Sequence, residues 1–117
     1  MARDMSRIST HILDLARGGP ASGVAVRLEF EDGPGNWRTL DSMHTDHEGR
    51  CAHWLANSEL SPGVYRLRFE IAGYFARQNL ESMYPFVEVT FRIRGGEANF
   101  HIPLLLSPAG YTTYRGT

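Results

Sequence analysis

The sequence lacks several features that would assign it to a particular class of protein. It has a single cysteine, Cys51, so no intrachain disulfide can form and a reducing compartment is favoured. No apolar run approaches the roughly 20 residues that a membrane-spanning helix needs. The first residues lead into no apolar segment, so no signal peptide is predicted and we expect a cytoplasmic protein.

An excess of charge of one sign is also missing. Twelve basic and 13 acidic residues give a formal net charge of −1 with neutral histidines. Without a basic excess, neither nucleic acid nor an anionic membrane surface is expected as a partner. A hydrophobic content of 42% and a length of 117 residues predict one folded domain over 1–117, with a core of its own.

Long helical patterns are scarce, and the dominant hydrophobic period is two. Apolar residues alternate with polar ones over Val24–Phe30, Tyr65–Ile71 and Val87–Ile93, which predicts strands with one buried face. Further strands are predicted at 8–15, 37–43 and 98–106, with a short last strand at 112–115, and only 73–80 could form a helix. Short strands separated by glycine- and proline-rich turns indicate an all-β sandwich.

Two of these strands are apolar on both faces. In 100–106 one face carries Phe100 and its alternate neighbours, and the other carries His101 and Leu105; the first strand places His11 in a similar position. Such strands should be covered on both sides. We therefore expect a second subunit to cover them, with His11 and His101 at or near the contact.

His11, His101 and Arg50 are the candidate catalytic residues. Imidazole exchanges protons near neutral pH, and a fixed guanidinium suits an anionic heterocycle or a developing oxyanion. The alternative is that the histidines are hydrogen-bonded interface residues and that Arg50 is a solvated turn residue.

The chain ends on Tyr114, Arg115, Gly116 and Thr117, which supply an aromatic ring, a cation, a flexible joint and a hydroxyl. This combination is more typical of a site than of a dispensable tail, so these four residues are candidate ligand contacts.

The remaining histidines and the cysteine fit no known site pattern. His44, His47 and His53 match no zinc-binding spacing and are interpreted as surface residues, so no metal site is expected. Cys51 has no second cysteine nearby and is predicted to be buried and inert.

Three segments carry a resemblance to a known family. The motifs Ser9-Thr-His-Ile-Leu-Asp-Leu15, Gly19-Pro-Ala-Ser-Gly-Val24 and His101-Ile-Pro-Leu-Leu-Leu-Ser-Pro108, followed by Tyr114-Arg-Gly-Thr117, resemble the 5-hydroxyisourate hydrolases, the enzymatic branch of the transthyretin-like family. The resemblance spans essentially the whole chain.

The resemblance implies more than the hydrophobic pattern does. It implies a transthyretin-like (prealbumin-type) sandwich of two four-stranded sheets with one short helix. It also implies a homotetramer, a dimer of dimers with active sites at the dimer–dimer contact. The implied reaction is hydrolysis of 5-hydroxyisourate to 2-oxo-4-hydroxy-4-carboxy-5-ureidoimidazoline in urate degradation, with no metal or organic cofactor.

By the same resemblance, His11 and His101 match the catalytic histidines and Arg50 the arginine at a strand start. Tyr114, Arg115, Gly116 and Thr117 then match the terminal motif, in which Thr117 replaces the serine usual in the family. One histidine would deprotonate water, the other histidine or a water would protonate the leaving nitrogen, and which histidine is the base stays open.

Two other classes of function remain to be weighed. A non-enzymatic carrier of a small hydrophobic ligand would use the same fold but should have an apolar channel, and fold alone does not decide function. A plain interaction module would leave the chain end unexplained.

Overall fold

A computed structural model describes residues 7–51, 60–96 and 99–117. In chain order the elements are β1 (Arg7–Asp14), β2 (Gly19–Pro20), β3 (Ala25–Glu31), β4 (Trp37–His44), β5 (Arg50–Cys51), β6 (Gly63–Phe69), α1 (Ile71–Ala76), β7 (Val87–Ile93), β8 (Asn99–Ser107) and β9 (Gly110–Thr113).

The strands form the two sheets that the sequence predicts. One has the order β2-β1-β8-β9, with β5 also paired to β1, and the other has the order β4-β3-β6-β7. β1 and β8 run parallel, whereas the other described pairs are antiparallel. The all-β sandwich with one short helix is therefore confirmed, but its first sheet has five strands instead of four, because the two-residue strands β2 and β5 both pair with β1.

The core is built from the alternate residues that the period-two pattern identifies. Ile12, Leu28, Leu67 and Leu104 are each fully buried, and they come from both sheets. Burying one such side chain contributes about 1.5–3 kcal/mol relative to leaving it exposed. Because one face of each strand is used in this way, the residues between them are left on the outer faces.

Most strand bounds agree with the sequence prediction to within two residues, and the main differences concern the helix and the last strand. Ile71 starts α1 instead of ending a strand, and the helix covers 71–76 rather than 73–80. Ile71 is nevertheless fully buried, so its hydrophobicity reflects burial and not strand pairing. The last strand lies at 110–113 rather than 112–115, because β9 returns along β8 after a two-residue turn.

The end of the chain pairs with the edge of β8. Gly116 forms an isolated bridge with His101, and its amide donates a hydrogen bond of 2.8 Å to the His101 carbonyl. This bridge continues the edge pairing that β9 makes with β8, and cover of the outer face by a second subunit stays a prediction. No helix in the described parts of the chain has the length and apolar character needed to cross a membrane.

Candidate functional site

The register of three strands places the candidate catalytic residues on one face. In the parallel pair β1–β8, Ser9 is opposite His101 and His11 is opposite Pro103. In the antiparallel pair β1–β5, His11 is opposite Arg50. Since side chains alternate between faces along a strand, His11, His101 and Arg50 all lie on the side away from the core.

A tight turn holds Arg50 beside β1. An Asp46 carboxylate oxygen accepts hydrogen bonds of 2.9 Å from the backbone amides of Glu48 and Arg50. These amides, that of Arg50 first, hold the pKa of Asp46 below its usual value. Asp46, which directly precedes His47–Gly49, thus organises the turn.

Gly49 is required in this turn for two reasons. Its φ is +77°, and a Cβ there would lie 2.5 Å from the backbone oxygen of Ile12. That close approach lets the Ile12 amide donate a 2.8 Å hydrogen bond to the Gly49 carbonyl. A side chain at this position would push the turn, and Arg50 with it, away from β1.

Arg50, His101 and Thr117 line one cleft of about 310 Å³. Its other lining residues are Ser9, Thr10 and Asn99. The cleft therefore combines a guanidinium, an imidazole, an amide and hydroxyl groups, which are suited to a small polar, anionic or amide-containing molecule.

His101 is the titratable group that this environment alters. Its pKa lies below the ordinary value of 6.5, first because the ring is partly buried and then because His11 and Arg50 place positive charge near it. The neutral imidazole is consequently the dominant form at neutral pH, and a neutral ring can accept a proton from water.

Gly116 contacts the His101 ring directly. A Cβ on Gly116 would lie 2.5 Å from His101 Cδ2 and 3.2 Å from Pro103 Cγ. The absence of a side chain, rather than a special backbone angle, is what this position needs. Gly116 thus lies against the histidine from the chain end, and its contact with a ligand stays a prediction.

Tyr114 and Arg115 lie away from the cleft. They line a separate cavity of about 220 Å³ together with residues of β7, β8 and β9. The Arg115 guanidinium stands 4.8 Å from the centre of the Phe100 ring and donates a 3.2 Å hydrogen bond to the Asn99 carbonyl. Of the four terminal candidates, Thr117 lines the cleft and Gly116 contacts its histidine, whereas Tyr114 and Arg115 do neither.

The other histidines lie elsewhere. His44 and His47 are exposed, and His53 is outside the described residues. Within 7–51, 60–96 and 99–117, no group of three or more potential metal-ligating side chains converges. Cys51 is buried, as expected, and burial raises the pKa of its thiol to about 12, so the thiolate is not available as a nucleophile.

Three residues of the cleft were not among the candidates from the sequence: Ser9, Thr10 and Asn99. Ser9 was detectable in principle, because it stands two positions before His11 and a period of two puts both on the same face. Asn99 carried no such signal, since its place depends on which strand pairs with β1.

Comparison with known proteins places this chain in a family. Residues 8–116 match the model of the HIUase/Transthyretin family, in which HIUase stands for 5-hydroxyisourate hydrolase. The chain is 44% identical to the mouse (Mus musculus) 5-hydroxyisourate hydrolase, with full coverage of both sequences.

Two solved structures are similar as well. The Klebsiella pneumoniae 5-hydroxyisourate hydrolase superposes with a TM-score of 0.85 at 41% identity, covering 97% of this chain and all of that one. Sea bream transthyretin in complex with thyroxine gives a TM-score of 0.88 at 29% identity, with 93% of each chain covered. The chain therefore belongs to the HIUase/transthyretin family.

Proposed function

We propose that this protein is an enzyme that hydrolyses 5-hydroxyisourate to 2-oxo-4-hydroxy-4-carboxy-5-ureidoimidazoline in urate degradation. Relatives 39–44% identical over the full length of this chain carry the name of that hydrolase. The observation that carries the proposal is the cleft in which His101, Arg50 and Thr117 meet, with His11 on the same face.

Ring opening of a cyclic amide needs an activated water, a stabiliser for the developing oxyanion and a proton for the leaving nitrogen. One histidine of the His11/His101 pair deprotonates the attacking water. The other histidine, or a second water, protonates the nitrogen as the carbon–nitrogen bond breaks. Arg50 holds the anionic substrate and the negative charge that grows on the attacked carbonyl oxygen.

The chain end completes the substrate site. Thr117 offers a hydroxyl to the substrate from the rim of the cleft, and Gly116 keeps the His101 ring in place. Threonine retains the hydroxyl of the serine usual at this position but adds a methyl group and a stiffer χ1. Tyr114 and Arg115 then contribute to substrate binding by fixing the path of the terminal segment, since Arg115 is anchored on Phe100.

The active assembly is proposed to be a homotetramer, a dimer of dimers in the cytoplasm, with its sites at the dimer–dimer contact. The face that bears His11 and His101 also carries Leu13 and Leu105, which are only partly buried in the single chain. Covering that face would exclude water from the cleft and bury the leucines. Light scattering should give about four times the chain mass of 13.2 kDa; a stable monomer would contradict this assembly.

The reaction is tested by generating 5-hydroxyisourate from urate with urate oxidase and following its absorbance decay. His101→Asn and His11→Asn should each lower the catalysed rate by at least about 10²–10⁴-fold, the usual contribution of general acid–base catalysis. His44→Asn is a matched control, because His44 is exposed on the other sheet. Near-normal turnover in either site variant would remove that histidine from the mechanism.

The alternative function is that of a non-enzymatic carrier. The similarity to transthyretin in complex with thyroxine supports it at the level of the fold. The cleft argues for the hydrolase, because a carrier of a hydrophobic ligand needs an apolar channel and this face has two histidines and an arginine. A folded protein that leaves the decay rate unchanged but binds a hydrophobic aromatic ligand would favour the carrier.

A further inference from the structure

The serine that sequence reasoning overlooked is hydrogen-bonded to the candidate catalytic histidine. Ser9 Oγ lies 2.8 Å from His101 Nδ1, and the two residues are opposite each other in the parallel pair β1–β8. Both side chains are half-buried and both line the cleft. The contact joins residues 92 positions apart, so it exists only because of the fold.

The neighbouring hydroxyl, that of Thr10, has a different role. Thr10 is buried, and its hydroxyl donates a hydrogen bond to the Ile102 carbonyl. That bond satisfies a backbone acceptor of β8 and holds the two strands together. Ser9 makes no corresponding backbone bond in the described parts of the chain, and its hydroxyl is directed to an imidazole nitrogen instead.

Contacts on two sides of the His101 ring leave one nitrogen for chemistry. Nδ1 is engaged by Ser9, and Cδ2 packs against Gly116. Nε2 is then the ring nitrogen available to a molecule in the cleft. An imidazole in which Nδ1 carries the proton presents an unprotonated Nε2, which is the form that accepts a proton from water.

We propose that Ser9 is a positioning residue for His101: its hydroxyl accepts a hydrogen bond from Nδ1–H and so fixes the ring orientation and the tautomer in which Nε2 is the general base. This inference rests on the proposed hydrolase function for its kinetic consequence. The direction of the hydrogen bond is part of the proposal, because the 2.8 Å contact between Ser9 Oγ and His101 Nδ1 fits either group as the donor.

A hydroxyl at this position differs from a carboxylate in one important respect. A carboxylate would stabilise the imidazolium and raise the pKa of His101, whereas a serine orients the ring without adding charge. The titratable and charged groups that act on the ring are His11 from β1 and Arg50 from β5, and both favour the neutral form. Thr117 also lines the cleft and brings a hydroxyl to it. Serine therefore keeps the base neutral while directing it.

The tautomer is tested by ¹⁵N NMR of the histidine side chains at neutral pH. In the wild-type protein His101 should show a protonated Nδ1 and an unprotonated Nε2, and Ser9→Ala should give a mixture of the two tautomers. Ser9→Thr should restore the wild-type pattern. Ser42→Ala is the matched control, because Ser42 is exposed on β4 of the other sheet.

The kinetic measurement separates a positioning role from a structural one. Ser9→Ala should lower kcat by about 10- to 100-fold, as expected for a misoriented reacting group, with KM changed less than about twofold. Ser9→Asp should shift the acid limb of the pH–rate profile to higher pH, because the added carboxylate raises the pKa of His101.

Several results would overturn the proposal. A wild-type His101 with the proton fixed on Nε2, or an unchanged tautomer in Ser9→Ala, would contradict the assigned hydrogen bond. A changed tautomer with wild-type kcat would contradict the positioning role. If the wild-type protein does not accelerate hydrolysis at all, the proposed function fails, and the NMR result still decides whether Ser9 fixes the ring.

Discussion

Substitution of Gly116 by alanine tests the contact between the chain end and the candidate catalytic histidine. The new Cβ would lie 2.5 Å from His101 Cδ2, whereas ordinary contacts of this kind begin near 3.4 Å. About 1 Å must therefore be absorbed, either by rotation of the imidazole or by displacement of the terminal segment. A misplacement of that size can cost about 10²-fold in rate.

Fold stability should change much less than activity. The structural loss is confined to the hydrogen bond from the Gly116 amide to the His101 carbonyl, a net contribution of about 0.5–1.5 kcal/mol. We expect Gly116→Ala to retain a cooperative urea transition, with the free energy of unfolding lowered by no more than that amount. Its kcat/KM, measured by the decay of 5-hydroxyisourate, should fall about 100-fold.

Gly110→Ala provides the matched control near the same end of the chain. A Cβ on Gly110 would meet no other atom within 4 Å, so this variant should keep wild-type kcat/KM. Wild-type activity in Gly116→Ala would mean that the ring and the terminal segment adjust without effect on catalysis. The Gly116–His101 contact would then not control activity. Equal losses in both variants would mean that any added methyl at the chain end is harmful.

Three further predictions concern single residues. Arg50→Gln removes a positive charge that lowers the pKa of His101, so that pKa should rise. Because activity is lost as pH falls through this pKa, the acid limb of the kcat/KM profile should move to higher pH. An unmoved limb would contradict the prediction. Tyr74→Phe removes the 2.7 Å hydrogen bond to the buried Asp14 carboxylate and should lower the free energy of unfolding by about 1–3 kcal/mol in urea titrations, with kcat unchanged. Cys51 should resist iodoacetamide at pH 8 in the folded protein and react after unfolding, because its thiol is buried with a pKa of about 12; rapid labelling of the native chain would show otherwise.

The sheets were predictable from the sequence where the hydrophobic period extends over a whole strand. The alternation through Tyr65–Phe69 and Val87–Ile93 identifies β6 and β7 because one face of each packs into the core. The two-residue strands β2 and β5 are too short to show a period, and tertiary pairing with β1 defines them. The alternating pattern extends to Ile71 although this residue starts α1, because a buried apolar residue fits a strand end and a helix start equally well.

The candidate site was predictable in its residue types but not in its geometry. His11 and His101 are recognisable because they lie on strands that are apolar on both faces, and the family resemblance marks Arg50 among the 12 basic residues of the chain. Their arrangement depends on the parallel pairing of β1 with β8 and the short pairing with β5, which no local pattern encodes. For the same reason no local pattern indicates that Arg115 turns towards Phe100.

The central claim, that this protein opens the ring of 5-hydroxyisourate by hydrolysis, is tested most directly by identifying the product as it forms. Isotope-labelled urate is converted by urate oxidase in an NMR tube, with and without this protein. We expect the 5-hydroxyisourate signals to disappear faster than in the spontaneous reaction. They should be replaced by those of 2-oxo-4-hydroxy-4-carboxy-5-ureidoimidazoline, including its new carboxylate carbon. Decay at the spontaneous rate in the presence of folded protein would contradict the hydrolysis of 5-hydroxyisourate by this protein.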